Sequence, residues 1–169
     1  CEMSDAVIKA IRHALLNHLV IFFRDQDIEP VHQIAFAKRF GNLIEYPMVK
    51  GLDGFPEIVP VVKLPHERAN FGGLWHSDTT YLDLPPMGTI LAARELPPYG
   101  GNTLFANMYM AYETLSEGMR SMLDGMVGIS SSAKSRVSKT RENLMKTSSK
   151  VSDSIELIAE HPVVRTHPE

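Results

Sequence analysis

The sequence predicts an α+β domain in which short strands build an antiparallel barrel or sandwich and helices pack outside it. Three observations predict it. Apolar runs rich in β-forming residues recur at 18–23, 57–64, 88–97, 102–108 and 163–168. Helical periodicity is confined to 4–17, 30–40 and 109–126. Glycine and proline punctuate the intervals, and no repeat or heptad pattern occurs. A length of 169 residues suffices for one domain with a real core, so residues 1–169 are read as one domain.

In chain order, the first element is an amphipathic helix over 4–17. Ser4 or Asp5 can cap it, and Val7, Ile8, Ile11 and Leu15 share one face. HLVIFF (18–23) reads as a short buried strand, followed by a turn at RDQDIEP. Pro30 opens a second helix carrying Ile34, Ala37 and Phe40, closed by Gly41. Residues 41–74 are loop-rich, broken by Pro47, Gly51, Gly54, Pro56 and Pro65. Within them EIVPVVKL (57–64) reads as a strand, with Pro60 placing it at an edge or bulge. GTILAARELP (88–97) and NTLFANM (102–108) read as strands joined by the turn PPYGG. Residues 109–126 return to helical spacing, with Ser116 able to restart the helix. Residues 129–154 are rich in Ser, Lys and Arg and poor in large apolar residues, which suits a mobile surface loop or lid. VVRTHP (163–168) returns to strand character.

Composition excludes several function classes. A net charge of −3 disfavours nucleic acid or an anionic membrane surface as the main partner. The longest apolar run, Leu19 to Phe23, is too short to span a bilayer, and the first residues lack the pattern of a signal peptide. Cys1 is the one cysteine, so no internal disulfide forms, as expected of a cytoplasmic protein. The chain opens without an initiator Met and closes on HPVVRTHPE, which reads as the lead-in to another turn and strand. Both ends are therefore expected to continue.

The chemistry centres on Trp75-His76-Ser77-Asp78-Thr79-Thr80. In an extended chain, residues two apart project from the same face, so His76 and Asp78 would present one nitrogen and one oxygen together. That is two-thirds of a 2-His-1-carboxylate triad, which leaves metal positions open for other ligands. On the tripeptide alone, a hydrogen-bonded His–Asp pair near a turn is the commoner reading.

Three segments carry a resemblance. FFRDQDIEPVHQIAFAKRFGNL (22–43), WHSDTTYLDLPPMGTILAARELPPYGGNTLFANMYMAYETLS (75–116) and HPVVRTHPE (161–169) occur in the order seen in the TauD/TfdA-like family of Fe(II)/2-oxoglutarate-dependent dioxygenases. The chain resembles that family over nearly its whole length. The resemblance implies a double-stranded β-helix, or jelly roll, with flanking helices. It implies that His76 and Asp78 are iron ligands and that the Thr103 hydroxyl helps hold the 2-oxoglutarate carboxylate, a task suited to a hydroxyl donor. It also implies a dimer or tetramer.

The pattern departs from the family at its end. The family's second iron-binding His and its 2-oxoglutarate-binding Arg lie beyond a later strand that this chain does not contain. His161, His167 and Arg165 match a non-ligand segment and are read as structural or surface residues, and His13, His18, His32 and His66 have no partner at metal spacing. In the family member that acts on taurine, a His, a Tyr and an Asn hold the sulfonate. The corresponding positions here carry Tyr46, Val49 and Gly72, so taurine is not the expected substrate. Candidate lining residues are Tyr46, Phe71, Gly72, Tyr81, Phe105 and Asn107.

The implied reaction consumes O2 and 2-oxoglutarate, releases succinate and CO2, and hydroxylates an unactivated C–H bond of a small, acidic organic molecule. Two alternatives are a non-catalytic jelly-roll domain with an incomplete site, and a cupin-type metalloenzyme that does not use 2-oxoglutarate.

Overall fold

The structure is a computed structural model that describes residues 3–47, 49–66, 72–133 and 156–167. Among these residues are four helices and one two-stranded antiparallel sheet. The chain divides into two compact units: Cys1–Leu43 with Gly88–Leu115, and Ile44–Met87 with Ser116–Glu169.

In the first unit, α1 (Asp5–His18) starts where the sequence places it. Ser4 is the N-cap, its hydroxyl accepting from the Val7 N–H at 3.4 Å. Such a cap is worth about 1 kcal/mol. The helix outlasts its predicted end: His18 is helical, and Leu19 closes the last turn at φ 65, its N–H donating to the Leu15 carbonyl at 2.7 Å. The expected strand at 18–23 does not form: its first two residues are a helix end and its cap, and 20–23 join no ladder among the described residues. α2 (Pro30–Ala37) opens on Pro30, which gives up no intrahelical bond at that position. His32 Nδ1 accepts from the Glu29 N–H at 3.1 Å, so this imidazole serves a helix start. Arg39, just past α2, pairs with Asp5 and donates to the Met3 carbonyl at 2.9 Å. An edge-to-face chain Phe23–Phe36–Phe40, with ring centroids 5.8 and 5.0 Å apart, packs the segment after α1 onto α2. Phe22 meets Phe105 in the same manner at 6.5 Å. α3 (Met108–Glu113) is capped by Asn107, whose Oδ1 accepts from the Met110 N–H at 3.1 Å.

In the second unit, α4 (Glu117–Leu123) begins at Ser116, whose Oγ accepts from the Met119 N–H at 3.2 Å, so the predicted helix at 109–126 does restart there. Gly125 at φ 80 turns the chain into β1 (Val127–Ser131), which pairs antiparallel with β2 (Ile158–Pro162). The ladder is closed below by the Val163 N–H on the Met126 carbonyl and extended above by the Ser132 N–H on the Leu157 carbonyl, both 2.9 Å. Residues 129–131, grouped by composition with a surface loop, are thus strand. Residues 134–154 of that predicted loop lie outside the described residues. Strand character near the C-terminus falls at 158–162 and not at 163–167, because the partner strand ends at that level; residue 168 of the expected strand lies outside the described residues.

The loop 50–58 is compact. Leu52 N–H donates to Ile58 O at 2.9 Å, and Phe55 and Ile58 N–H groups close successive turns at 3.0 Å. Lys50 Nζ donates to Asp53 Oδ1 at 2.7 Å, and its ammonium holds that carboxyl below the usual carboxylate range.

The runs 57–64, 88–97 and 102–107 form no ladder among the described residues, contrary to the strand expectation. A strand is stabilised by its neighbour's N–H and C=O groups, not by its own composition. Without that neighbour, Val61, Leu91, Leu96 and Leu104 stay more than half exposed. Among the described residues, the buried apolar ones are Ile8 in the first unit and Ala159 in the second. The observed architecture is therefore mixed helix and small antiparallel sheet.

Candidate metal centre

His76 and Asp78 lie in the second unit, in a segment with no ladder partner that ends in a tight turn. Leu82 N–H closes that turn on the Thr79 carbonyl at 3.0 Å. Thr79 sits at φ 49, a left-handed conformation that costs a β-branched residue free energy. It is 9% exposed, and its buried Oγ1 has no hydrogen-bond partner among the described residues. Strained backbone of this kind persists where surrounding structure holds it, and it clusters at functional sites.

The two predicted ligands come together. His76 Nε2 and Asp78 Oδ1 are 3.2 Å apart, on side chains 47% and 54% exposed. The other ring nitrogen, Nδ1, lies 2.6 Å from the Leu74 carbonyl oxygen. A carbonyl only accepts, so Nδ1 carries a proton and donates it. In the neutral ring Nε2 then presents a lone pair to a carboxylate oxygen. Two lone pairs at this distance repel, and a hydrogen on either atom or a metal ion shared by both relieves the repulsion.

The geometry suits the metal. Two donors bound at ~2.1 Å and at right angles on one ion would lie ~3.0 Å apart. The backbone hydrogen bond on Nδ1 is the usual device for fixing a ligating imidazole in its tautomer and orientation. One nitrogen and one carboxylate oxygen form a donor set that Fe(II) accepts. Among the described residues, no cluster of three His, Cys, Asp or Glu side chains is present.

Gly72, at φ 71, lies against His76. A Cβ at this position would stand 3.2 Å from His76 Cε1 and 3.8 Å from Nε2. The missing side chain leaves space beside the imidazole. Of the other predicted lining residues, Tyr46 and Tyr81 belong to the second unit and are half-buried. Phe105 and Asn107 belong to the first unit, where Phe105 packs on Phe22 and Asn107 caps α3. Thr103 is an exposed residue of the first unit. Phe71 lies outside the described residues.

His161, read from the sequence as a structural or surface residue, has a structural contact whose partners the sequence did not indicate. Its Nε2 lies 2.9 Å from the Thr80 carbonyl oxygen and 3.0 Å from that of Leu82. A lone His on a strand gives no local sign of a contact 81 residues away. Among the described residues, no helix is long and apolar enough to cross a membrane.

Sequence comparison matches residues 1–169 to the family described as taurine catabolism dioxygenase TauD, TfdA family. Among curated proteins, the chain is 33% identical over 171 residues to the alpha-ketoglutarate-dependent sulfate ester dioxygenase of Pseudomonas putida, covering 99% of this chain and 56% of that protein. It is 34% identical over 175 residues to an alkylsulfatase of Acinetobacter baylyi, covering 99% and 53%. It is 31% identical over 129 residues to the (S)-phenoxypropionate/alpha-ketoglutarate-dioxygenase of Sphingobium herbicidovorans, covering 73% and 44%. The chain spans about half the length of the curated relatives it matches.

Proposed function

Because the chain belongs to the taurine catabolism dioxygenase TauD, TfdA family, we propose that His76 and Asp78 are two ligands of an Fe(II) site at which the whole protein hydroxylates a small organic acid, with 2-oxoglutarate and O2 as cosubstrates. The observation that carries this reading is the facing pair, Nε2 to Oδ1 at 3.2 Å, with Nδ1 committed to the Leu74 carbonyl. Bound there with 2-oxoglutarate, Fe(II) supplies oxygen activation coupled to decarboxylation of the cosubstrate to succinate and CO2.

This chain's residues have separate tasks in that reaction. Asp78 supplies negative charge to the metal, and His76 a neutral nitrogen oriented by its backbone hydrogen bond. Thr103 donates a hydroxyl hydrogen bond to the 2-oxoglutarate carboxylate, as the family resemblance implies. The pair is half exposed, so exclusion of water falls to groups beyond the two ligands. The third ligand and the carboxylate-binding Arg are supplied from outside this sequence. The jelly roll is the fold we propose for the whole protein. Exposed apolar residues on the unpaired runs, such as Val61, Leu91 and Leu104, support it, because a completed sheet would cover them. An organic sulfate ester is the substrate class we favour, since two relatives matching 99% of the chain carry names of sulfate-ester chemistry. A cytoplasmic homo-oligomer completes the proposal.

Anaerobic titration of the whole protein with Fe(II) and 2-oxoglutarate tests this reading. A visible metal-to-ligand charge-transfer band is expected, and its absence under saturating iron would overturn the proposal. In the same titration, Thr103→Val is expected to weaken 2-oxoglutarate binding about tenfold, the cost of one charge-assisted hydrogen bond, and to leave Fe(II) binding alone. Gly72→Ala should act on the metal instead. Its Cβ presses on the imidazole from a backbone conformation that disfavours a side chain, so Fe(II) affinity falls while 2-oxoglutarate affinity for the iron-loaded form does not.

A further inference from the structure

We infer that His161 is a positioning residue for the metal-bearing turn, an inference that rests on His76 and Asp78 being iron ligands. His161 stands on β2, paired with Gly128 of β1, and so belongs to the one ladder among the described residues. Its Nε2 approaches two carbonyl oxygens, Thr80 at 2.9 Å and Leu82 at 3.0 Å. Both can only accept, so Nε2 carries the hydrogen and forks it between them. The two carbonyls lie two and four residues after Asp78, on the turn closed by the Leu82 N–H on Thr79 O.

The metal segment needs such an anchor. It has no ladder of its own, and it contains Thr79 in a conformation that a free chain would leave. An N–H fixed by a strand and shared by both carbonyls sets the position of the turn relative to the sheet. Asp78 immediately precedes that turn, so fixing the turn holds the carboxylate close to His76. Through these contacts His161 acts on the backbone between the ligands and the sheet. Its place in the chemistry is therefore orientation, the task that outer-shell groups perform at metal sites.

The test compares His161→Leu, which fills the space without a donor, with His161→Gln, which keeps an N–H donor. Three quantities are read in the whole protein: Fe(II) affinity under anaerobic conditions, thermal midpoint, and amide hydrogen exchange without metal. His161→Leu is expected to weaken Fe(II) binding about tenfold. It should speed exchange at the Leu82 N–H and leave the Ser132 N–H of the ladder unchanged. His161→Gln is expected to recover most of the affinity. A merely structural histidine would lower the midpoint and speed exchange at Leu82 and Ser132 alike. That pattern, or native Fe(II) affinity in His161→Leu, would overturn the positioning role. Asp78→Ala in the same titration separates the two readings. If it binds Fe(II) like the native protein, the metal site itself is wrong and the role of His161 falls with it. If it loses Fe(II) while His161→Leu keeps native affinity, only the positioning role is lost.

Discussion

Replacing Asp78 by Ala is expected to abolish Fe(II) binding and with it the charge-transfer band, while leaving the fold intact. The expectation rests on two magnitudes that point in different directions. The His76–Asp78 pair is about half exposed, and a solvent-exposed ion pair contributes only about 0–1 kcal/mol to stability. The thermal midpoint of Asp78→Ala should therefore stay close to that of the native protein. A metal, by contrast, loses a direct anionic ligand, and even an outer-shell partner is worth roughly 10–100-fold in metal affinity. The loss on removing Asp78 should exceed that range. Calorimetric or optical titration with Fe(II) in the absence of oxygen measures it. If the pair were only an imidazolium–carboxylate contact, the variant would bind Fe(II) no differently from the native protein, and the metal assignment would fail.

Gly51→Ala should produce the largest loss of stability among the simple substitutions. A Cβ on Gly51 would lie 2.1 Å from the carbonyl oxygen of Pro56, 2.5 Å from its carbonyl carbon and 2.7 Å from its Cα. All three are backbone atoms, so no side-chain rotation relieves the clash. The loop cannot simply open, because Leu52 is bonded to Ile58 and Phe55 to Leu52 across it. Overpacking of this sort costs roughly 1–3 kcal/mol. Gly41→Ala serves as the comparison, because a Cβ there meets nothing within 4 Å. It should leave stability within about 0.5 kcal/mol of native or raise it slightly, through a less flexible unfolded chain. Urea midpoints of the two variants settle the matter; equal midpoints would mean that the loop is not closed as described.

The features legible in the sequence are those decided within a few residues. Ser4 caps α1 and Ser116 restarts the chain into α4 because a hydroxyl before a helical run reaches a free N–H two or three positions on. Pro30 opens α2 because its missing N–H is unneeded there. His76 and Asp78 approach each other as two-residue spacing in extended chain requires, without any ladder around them. Family membership was also legible, because three motifs stand in the right order along the chain.

Other features depend on which distant segment lies alongside. The apolar runs at 57–64, 88–97 and 102–107 carry strand composition, yet they form no ladder among the described residues, while 127–131 and 158–162 do. Composition reports what a segment could satisfy, and only an adjacent backbone supplies the missing hydrogen bonds. His161 shows the same limit at the site: it falls before the strand expected at 163–168, and only folding brings its N–H to the Thr80 and Leu82 carbonyls. The sequence by itself thus determined the helix starts, the His–Asp pair and the family. Tertiary structure alone decided which runs became strands and which side chain bonds the Thr80 and Leu82 carbonyls, because those outcomes require a partner that local spacing does not specify.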